Sequence, residues 1–283
     1  MYFLRAWGCL AAIIAAGLLF HLAPAHAASA PAASAESGAP GPAHTLANIR
    51  QSGMLRVGLA VNAPWVLHDR NGQWSGLEVD FVRQLAKDMH WKLELVPTSW
   101  TSAIDDLRAG RFDILAAGLS VTPQRALQLK YSDSYGSFAL GLVVNRKSLG
   151  KDDLVALETG GKHRIGVLAD TVTEDTTKAW LGNSKMVKII DEAAALQDVR
   201  SGKLDGLIAE QPLPAAMARS YPDQLGTLNV SQFGKTAHAF AVRRNDQDLV
   251  DVINAWLVSA QAGGFVADRE DFWLHSEAWV ELM

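Results

Sequence analysis

The sequence predicts an α/β protein of two lobes, with mostly parallel sheets and two hinge connectors. Three observations predict it. Short apolar runs alternate with segments of helical periodicity, the pattern of strands and helices joined by right-handed crossovers. Two strings share one grammar, Leu107-Arg108-Ala109-Gly110-Arg111-Phe112-Asp113 and Val199-Arg200-Ser201-Gly202-Lys203-Leu204-Asp205. In each, a basic residue falls in the last helical turn, glycine takes the left-handed cap and an apolar strand follows. Lastly, two longer extended runs, Phe138 to Asn145 and Thr236 to Arg243, flank the second set of elements.

In chain order, the first unit reads strand Leu55 to Val61, helix Val79 to Met89, strand Lys92 to Val96, helix Thr101 to Ala109 and strand Phe112 to Ala117. Val82, Leu85, Ala86 and Met89 recur at helical spacing, as a helix lying on a sheet requires. The second unit has apolar strands at Arg164 to Ala169, Lys185 to Ile190 and Leu204 to Ala209. Helical segments Thr173 to Leu181 and Glu192 to Ser201 lie between them. The extended runs serve as connectors, and the helices after Asp246 return to complete the first lobe. Lobe 1 then spans 46–142 and 239–283, and lobe 2 spans 143–238. Ligand in such a fold sits in the cleft, at the carboxyl ends of the strands.

The chain has 283 residues, of which the first 27 read as an export signal. Arg5 supplies the positive start, Cys9 to Leu22 the apolar stretch and Ala25-His26-Ala27 the cleavage pattern. Residues 28–45 are rich in Ala, Pro, Ser and Gly and read as a flexible leader. Cleavage places the mature chain in the periplasm and removes Cys9, the single cysteine, so disulfide and thiol chemistry are excluded. It also removes Arg5, taking the formal charge from −4 to −5. No basic stripe appears, which argues against nucleic acid as a partner. His68, His90, His163, His238 and His275 have no metal-ligand spacing with one another or with carboxylates, so no metal or other cofactor is expected.

Chemistry concentrates in Phe112 to Arg125, FDILAAGLSVTPQR. An apolar strand ends at Gly118, where a backbone can approach closely, and Ser120 and Thr122 offer hydroxyls. Thr122-Pro123 reads as an N-cap followed by proline at the first helical position, with Arg125 in the first turn. A cation there is disfavoured by the helix dipole unless an anion lies between the two. Bare amides, hydroxyls and a guanidinium fork together make a carboxylate pocket. A salt bridge from Arg125 to an acid such as Asp133 is the plainer alternative.

Leu55-Arg56-Val57-Gly58, Ala63-Pro64-Trp65, Gly76-Leu77-Glu78-Val79-Asp80, Pro97-Thr98-Ser99-Trp100 and Tyr131-Ser132-Asp133-Ser134-Tyr135 occur in the order and spacing of one family. From Leu46 to Leu274 the chain resembles the periplasmic amino-acid-type solute-binding proteins, extracellular solute-binding family 3, of type II periplasmic binding fold. The resemblance implies a monomer that captures an amino acid or related carboxylate and delivers it to an ABC transporter permease. A sensory binding protein serving a membrane receptor is an alternative with the same fold.

The resemblance also implies site roles. Arg125 would hold the ligand carboxylate, with Ser120 and Thr122 at the family's hydroxyl positions. Trp65 and Trp100 stand where the family places aromatic walls, unless both merely pack between loop and sheet. At the lobe-2 helix start, Asp170-Thr171-Val172 replaces a Gly-Thr-Thr or Gly-Thr-Ser pattern; its amides can receive an anion, but Asp170 replaces the glycine and Val172 removes a hydroxyl. Asp170 either biases the cleft towards a polar or cationic side chain or caps the helix beginning near Thr173. Glu210 matches the aspartate that binds the ligand's ammonium, with about one methylene more reach. The cyclohexadienyl dehydratases share this fold, and Glu174 falls at their general-acid position. That acid works only if burial raises its pKa. The residues favour binding without catalysis, since Gly118-Leu119-Ser120-Val121-Thr122 is no nucleophile elbow.

Overall fold

Each of the two main sheets grows from three parallel strands, and the chain crosses between the sheets twice. The computed structural model describes residues 45–149, 157, 162–181, 185–228 and 230–283. The signal at 1–27 therefore lies outside the described residues, as does the leader except for Thr45. Thr45 is no leader residue: it opens helix α1 (Thr45–Ser52), buried, with its Oγ1 donating to Asp246 Oδ2 at 2.7 Å.

In the first lobe β1 (Met54–Leu59) is followed by the small hairpin β2 (Leu67–His68) and β3 (Trp74–Ser75), then α2 (Leu77–Asp88) and β4 (Lys92–Pro97). Helix α3 (Ala103–Arg108) leads into β5 (Ile114–Leu115), α4 (Pro123–Ala126) and β6 (Leu129–Tyr131). β7 (Gly136–Asn145) enters the second lobe, followed by β8 (Arg164–Leu168), α5 (Val172–Leu181), β9 (Lys185–Ile189), α6 (Glu192–Ser201) and β10 (Gly206–Glu210). α7 (Leu213–Ser220), β11 (Leu225–Leu228) and β12 (Lys235–His238) complete that lobe. β13 (Ala241–Arg243) then returns to the first sheet, followed by α8 (Gln247–Ala262) and α9 (Phe265–Glu270).

The first sheet has order β4-β1-β5-β13-β6 and the second β11-β7-β10-β8-β9, with β12 on β7. Parallel pairing holds within β4-β1-β5 and β9-β8-β10, where helical crossovers connect the strands. Antiparallel pairing comes from the connector strands, since a chain returning directly to a sheet runs against its neighbours. The run expected as one connector at Thr236 to Arg243 is split between β12 in one sheet and β13 in the other. The crossings are bonded to each other: Ser132 N–H donates to Phe240 O at 2.9 Å and Tyr135 N–H to His238 O at 3.2 Å.

The shared grammar has a shared bonding pattern. In β1, Arg56 gives Asp113 its backbone N–H, its Nε and its Nη2, the last at 2.6 Å from Oδ1, while Nη1 donates to Gly110 O. In β8, Arg164 does the same to Asp205 through N, Nε and Nη2, with Nη2 also on Gly202 O. Gly110 and Gly202 have φ of 75° and 81°, the left-handed cap that leaves their carbonyls turned towards these arginines. Each pair fastens the first parallel strand of a sheet, β1 or β8, to the start of the third, β5 or β10. The C-terminal helices close the first lobe: Trp256 and Trp273 are buried and donate Nε1 to Asp88 and Asp80 of α2. Phe81 packs edge-on against Tyr135 and Trp256.

Removing the buried carboxylate strands the arginine and leaves the strand N–H without an acceptor. Asp113→Ala and Asp205→Ala should each cost about 2–3 kcal/mol, discounted for half-exposed arginines. Asp105→Ala, which breaks an exposed pair, should cost less than about 1 kcal/mol. Urea unfolding of the three variants checks the ranking, and equal small losses would contradict it.

Candidate functional site

The carboxyl ends of β1, β5, β8 and β10 converge on a cavity between the lobes. Asn62, Trp100, Gly118, Ser120 and Arg125 line it from the first lobe, and Leu168, Thr171, Val172, Thr173, Glu192 and Glu210 from the second. The lobes are shut: the space open to a water's centre is only about 10 Å³, near the size of one water molecule. Hydrogen bonds beside the cavity span the closure. Ala63 N–H donates to Glu192 Oε2 at 2.9 Å, and Thr101 Oγ1 donates to Asp170 Oδ2 at 2.7 Å.

Arg125 brings a positive charge to the cavity lining. Thr122 caps α4 as its sequence suggests, accepting from Arg125 N–H at 3.2 Å with Pro123 at the first helical position. That cap turns Arg125 into the cleft, where it makes no ion pair among the described residues, with Asp133 or any other acid. Its one hydrogen bond runs from Nη1 to Ser120 O at 3.1 Å. Burial pulls the guanidinium below its ordinary value, against the opposing pull of Tyr131, Asp175 and Glu210. Ser120 is buried, and its hydroxyl has no hydrogen bond among the described residues. Across the cleft α5 presents its first N–H groups, those of Val172 and Thr173, as helix starts do.

Two acids, Glu210 and Glu192, stand in the same lining. Glu210 ends β10 with 6% exposure; Oε1 accepts from His238 Nε2 at 2.8 Å and from Thr236 Oγ1 at 3.4 Å. Its Oε2 is buried without a partner. Glu192, the first residue of α6, is 2% exposed and lines the same cavity. Burial above all, with the charges of Glu210 and Asp191, pushes its carboxyl up to about 8 although Ala63 N–H opposes this.

Other expected site residues land differently. Gly118 lines the cavity but its amide is not bare: it donates to Glu78 Oε2 at 2.7 Å. Its φ of 67° and a Cβ position 2.8 Å from Asn62 Nδ2 require glycine there. Glu78 is wholly buried and also takes the Tyr135 hydroxyl at 2.5 Å; burial pushes it up to about 7 despite both bonds. Trp65 is fully buried behind Gly118, edge-on to Phe138 and His238 at 4.9 and 5.0 Å, and does not line the cavity. Trp100 does line it, held by Nε1 on Val61 O at 2.9 Å. Asp170 is neither a helix cap nor a cavity wall. Thr171 caps α5 through Oγ1, while Asp170, at φ 60°, faces Thr101. Thr122 lies outside the lining because its hydroxyl is spent on the cap.

Glu174 does not meet the requirement for a general acid. Its Oε1 pairs with Lys188 Nζ at 2.7 Å and its Oε2 accepts from Asp170 N–H at 2.8 Å. Burial works against ionisation, but Lys188 and the Asp170 amide outweigh it and hold the carboxyl below its ordinary value. Asn62, Leu168, Thr173 and Glu192 in the lining, with Glu78 and His238 behind it, are not among the site residues the sequence predicts. A signal existed for Glu192, which opens a helix directly after a strand, the same arrangement that drew attention to Thr122 and Thr171.

The bacterial extracellular solute-binding proteins, family 3, match over residues 55–276. The chain belongs to that family, and the likeness carried by its short segments is membership. Among its relatives, the L-cystine-binding protein TcyJ of Escherichia coli (strain K12) is 23% identical over 237 residues, 82% of this chain and 86% of that one. Cyclohexadienyl dehydratase of Pseudomonas aeruginosa is 26% identical over 233 residues, 81% of this chain and 85% of that one. Among solved structures, a putative binding component of an ABC transporter from Wolinella succinogenes, complexed with lysine, has a TM-score of 0.73 and 28% identity. It covers 81% of this chain and 99% of its own.

Glu78 and Glu192 give the fold a pH dependence of known sign. Both carboxyls are raised from 4.5, so the native state keeps protons that the unfolded chain has released. The stability they contribute is complete below about pH 4.5 and is lost as pH rises through about 7 and 8. The melting temperature should therefore fall between pH 5.5 and 8.5, and Glu78→Gln with Glu192→Gln should flatten that slope. Thermal melts across the range, read by circular dichroism, test this; an unchanged slope in the double variant would contradict it.

Proposed function

We propose that this chain is an exported binding protein that captures a free amino acid by closing its lobes and hands it to an ABC transporter permease. One observation carries the reading: Arg125 without an ion pair and Glu210 Oε2 without a partner line one cavity. A buried unpaired charge is costly on each side, and a zwitterion relieves both at once. The carboxylate would meet Arg125, the Ser120 hydroxyl and the amides of Val172 and Thr173, while the ammonium would meet Glu210. Closure follows from the ligand's greater affinity for the shut state, in which residues of both lobes touch it. The relatives' names support amino acids as the solute class, and residues 1–27 support export to the periplasm.

Titration calorimetry of the protein against the common amino acids tests the assignment. Arg125→Ala should weaken binding by roughly 30- to 4000-fold, the equivalent of about 2–5 kcal/mol, with little change in melting temperature. Glu210→Gln should lose tens-fold in affinity for amino acids but less for the matching acids without an amine. A wild-type preference for carboxylates lacking an amine would sink the role of Glu210.

Binding without turnover is the second part of the reading. The pairing of Glu174 with Lys188 supports it, since an ionised carboxylate has no proton to deliver. Incubation with prephenate and arogenate should leave both unconsumed beyond the uncatalysed rate. Aromatisation that needs the protein and disappears in Glu174→Gln would make the chain an enzyme.

A further inference from the structure

The cavity holds one acid more than an α-amino acid calls for. Arg125 answers the carboxylate and Glu210 the ammonium, and Glu192 remains, buried in the lining with no ion pair among the described residues. Asp170 is turned away onto Thr101, and Glu78 stands behind Gly118, satisfied by two donors. His238 is already committed to Glu210 through Nε2 at 2.8 Å, and its buried Nδ1 has no partner among the described residues. A zwitterion thus leaves Glu192 without an opposite charge and its carboxyl protonated to about pH 8, whereas a solute with a second cationic group would meet it as a carboxylate.

The placement of Glu192 says where that group would lie. Its Oε2 touches Ala63 N–H, and the neighbouring Asn62 lines the cavity too. Trp100, fixed on Val61 O, faces the same space. A chain of methylenes passing Trp100 would bring an ammonium or guanidinium to an aromatic face and a carboxylate together. We propose that Glu192 receives the side-chain cation of a basic amino acid and makes that class the preferred solute. This rests on the reading of the cleft as an amino-acid site. Burial and Glu210 disfavour charge on Glu192, and an arriving cation supplies what that carboxylate lacks.

The test compares lysine, ornithine and arginine with norleucine and glutamine, which have similar reach and no side-chain charge. Calorimetry of the wild-type protein, Glu192→Gln and Arg125→Ala reads each affinity. Gln keeps an acceptor for Ala63 N–H, so closure and the melting curve should survive. At least one basic amino acid should bind wild type tenfold or more tightly than both neutral ones. Glu192→Gln should weaken that solute tenfold or more and the neutral ones less than threefold. Neutral amino acids binding as tightly as basic ones, with dependence on Arg125, would overturn this proposal and leave the amino-acid reading standing. So would an equal loss for all solutes in Glu192→Gln. Failure of every amino acid to bind wild type would overturn both.

Discussion

The cleft depends on carboxylates that reach backwards from helix starts to take backbone N–H groups. Glu78, at the start of α2, takes the amide of Gly118; Glu174, in the first turn of α5, takes that of Asp170; Glu192, opening α6, takes that of Ala63. Strands that end at a closed cleft leave donors facing no water, and an unpaired buried amide is costly. A carboxylate near a helix start also answers the positive end of the dipole. The same three bonds shape the cavity, because each fixes the loop whose neighbours line it.

They differ in what they join. The Glu78 and Glu174 bonds lie within a lobe and persist when the lobes part. The Glu192 bond, with that of Thr101 to Asp170, crosses the gap and must break on opening. The crossings at Ser132 to Tyr135 and His238 to Phe240 are bonded to each other, the arrangement of a paired hinge. Closure is then decided near the cavity, by few bonds and by whatever charge the solute supplies. A small ligand can tip such a balance.

Local rules are broken where function would be expected. The Arg125 guanidinium has no ion pair, Glu210 Oε2 no partner, and two acids share the lining of one small cavity. Away from the cleft, Asp113 and Asp205 each hold an arginine by several bonds and Glu174 holds Lys188, although Asp246 Oδ1 and Arg269 Nε are also buried without a partner.

The sequence by itself determined the alternation of strands and helices, the twin Gly-capped strings, the Thr122-Pro123 cap that aims Arg125, and Glu210 at a strand end. Those features are local, set by periodicity, turn chemistry and one residue's neighbours in the chain. Tertiary structure alone decided that Gly118 gives its amide to Glu78, 40 residues away, and that Trp65 lies behind the cavity rather than on its wall. It likewise turned Asp170 onto Thr101 and brought Glu192 against Ala63, 129 residues distant. A helix-start acid reads alike in sequence whether it meets water, a lysine or the facing lobe. Only tertiary packing selects among them, because the partner comes from elsewhere in the chain: Gly118 and Lys188 within the lobe for Glu78 and Glu174, Ala63 across the cleft for Glu192.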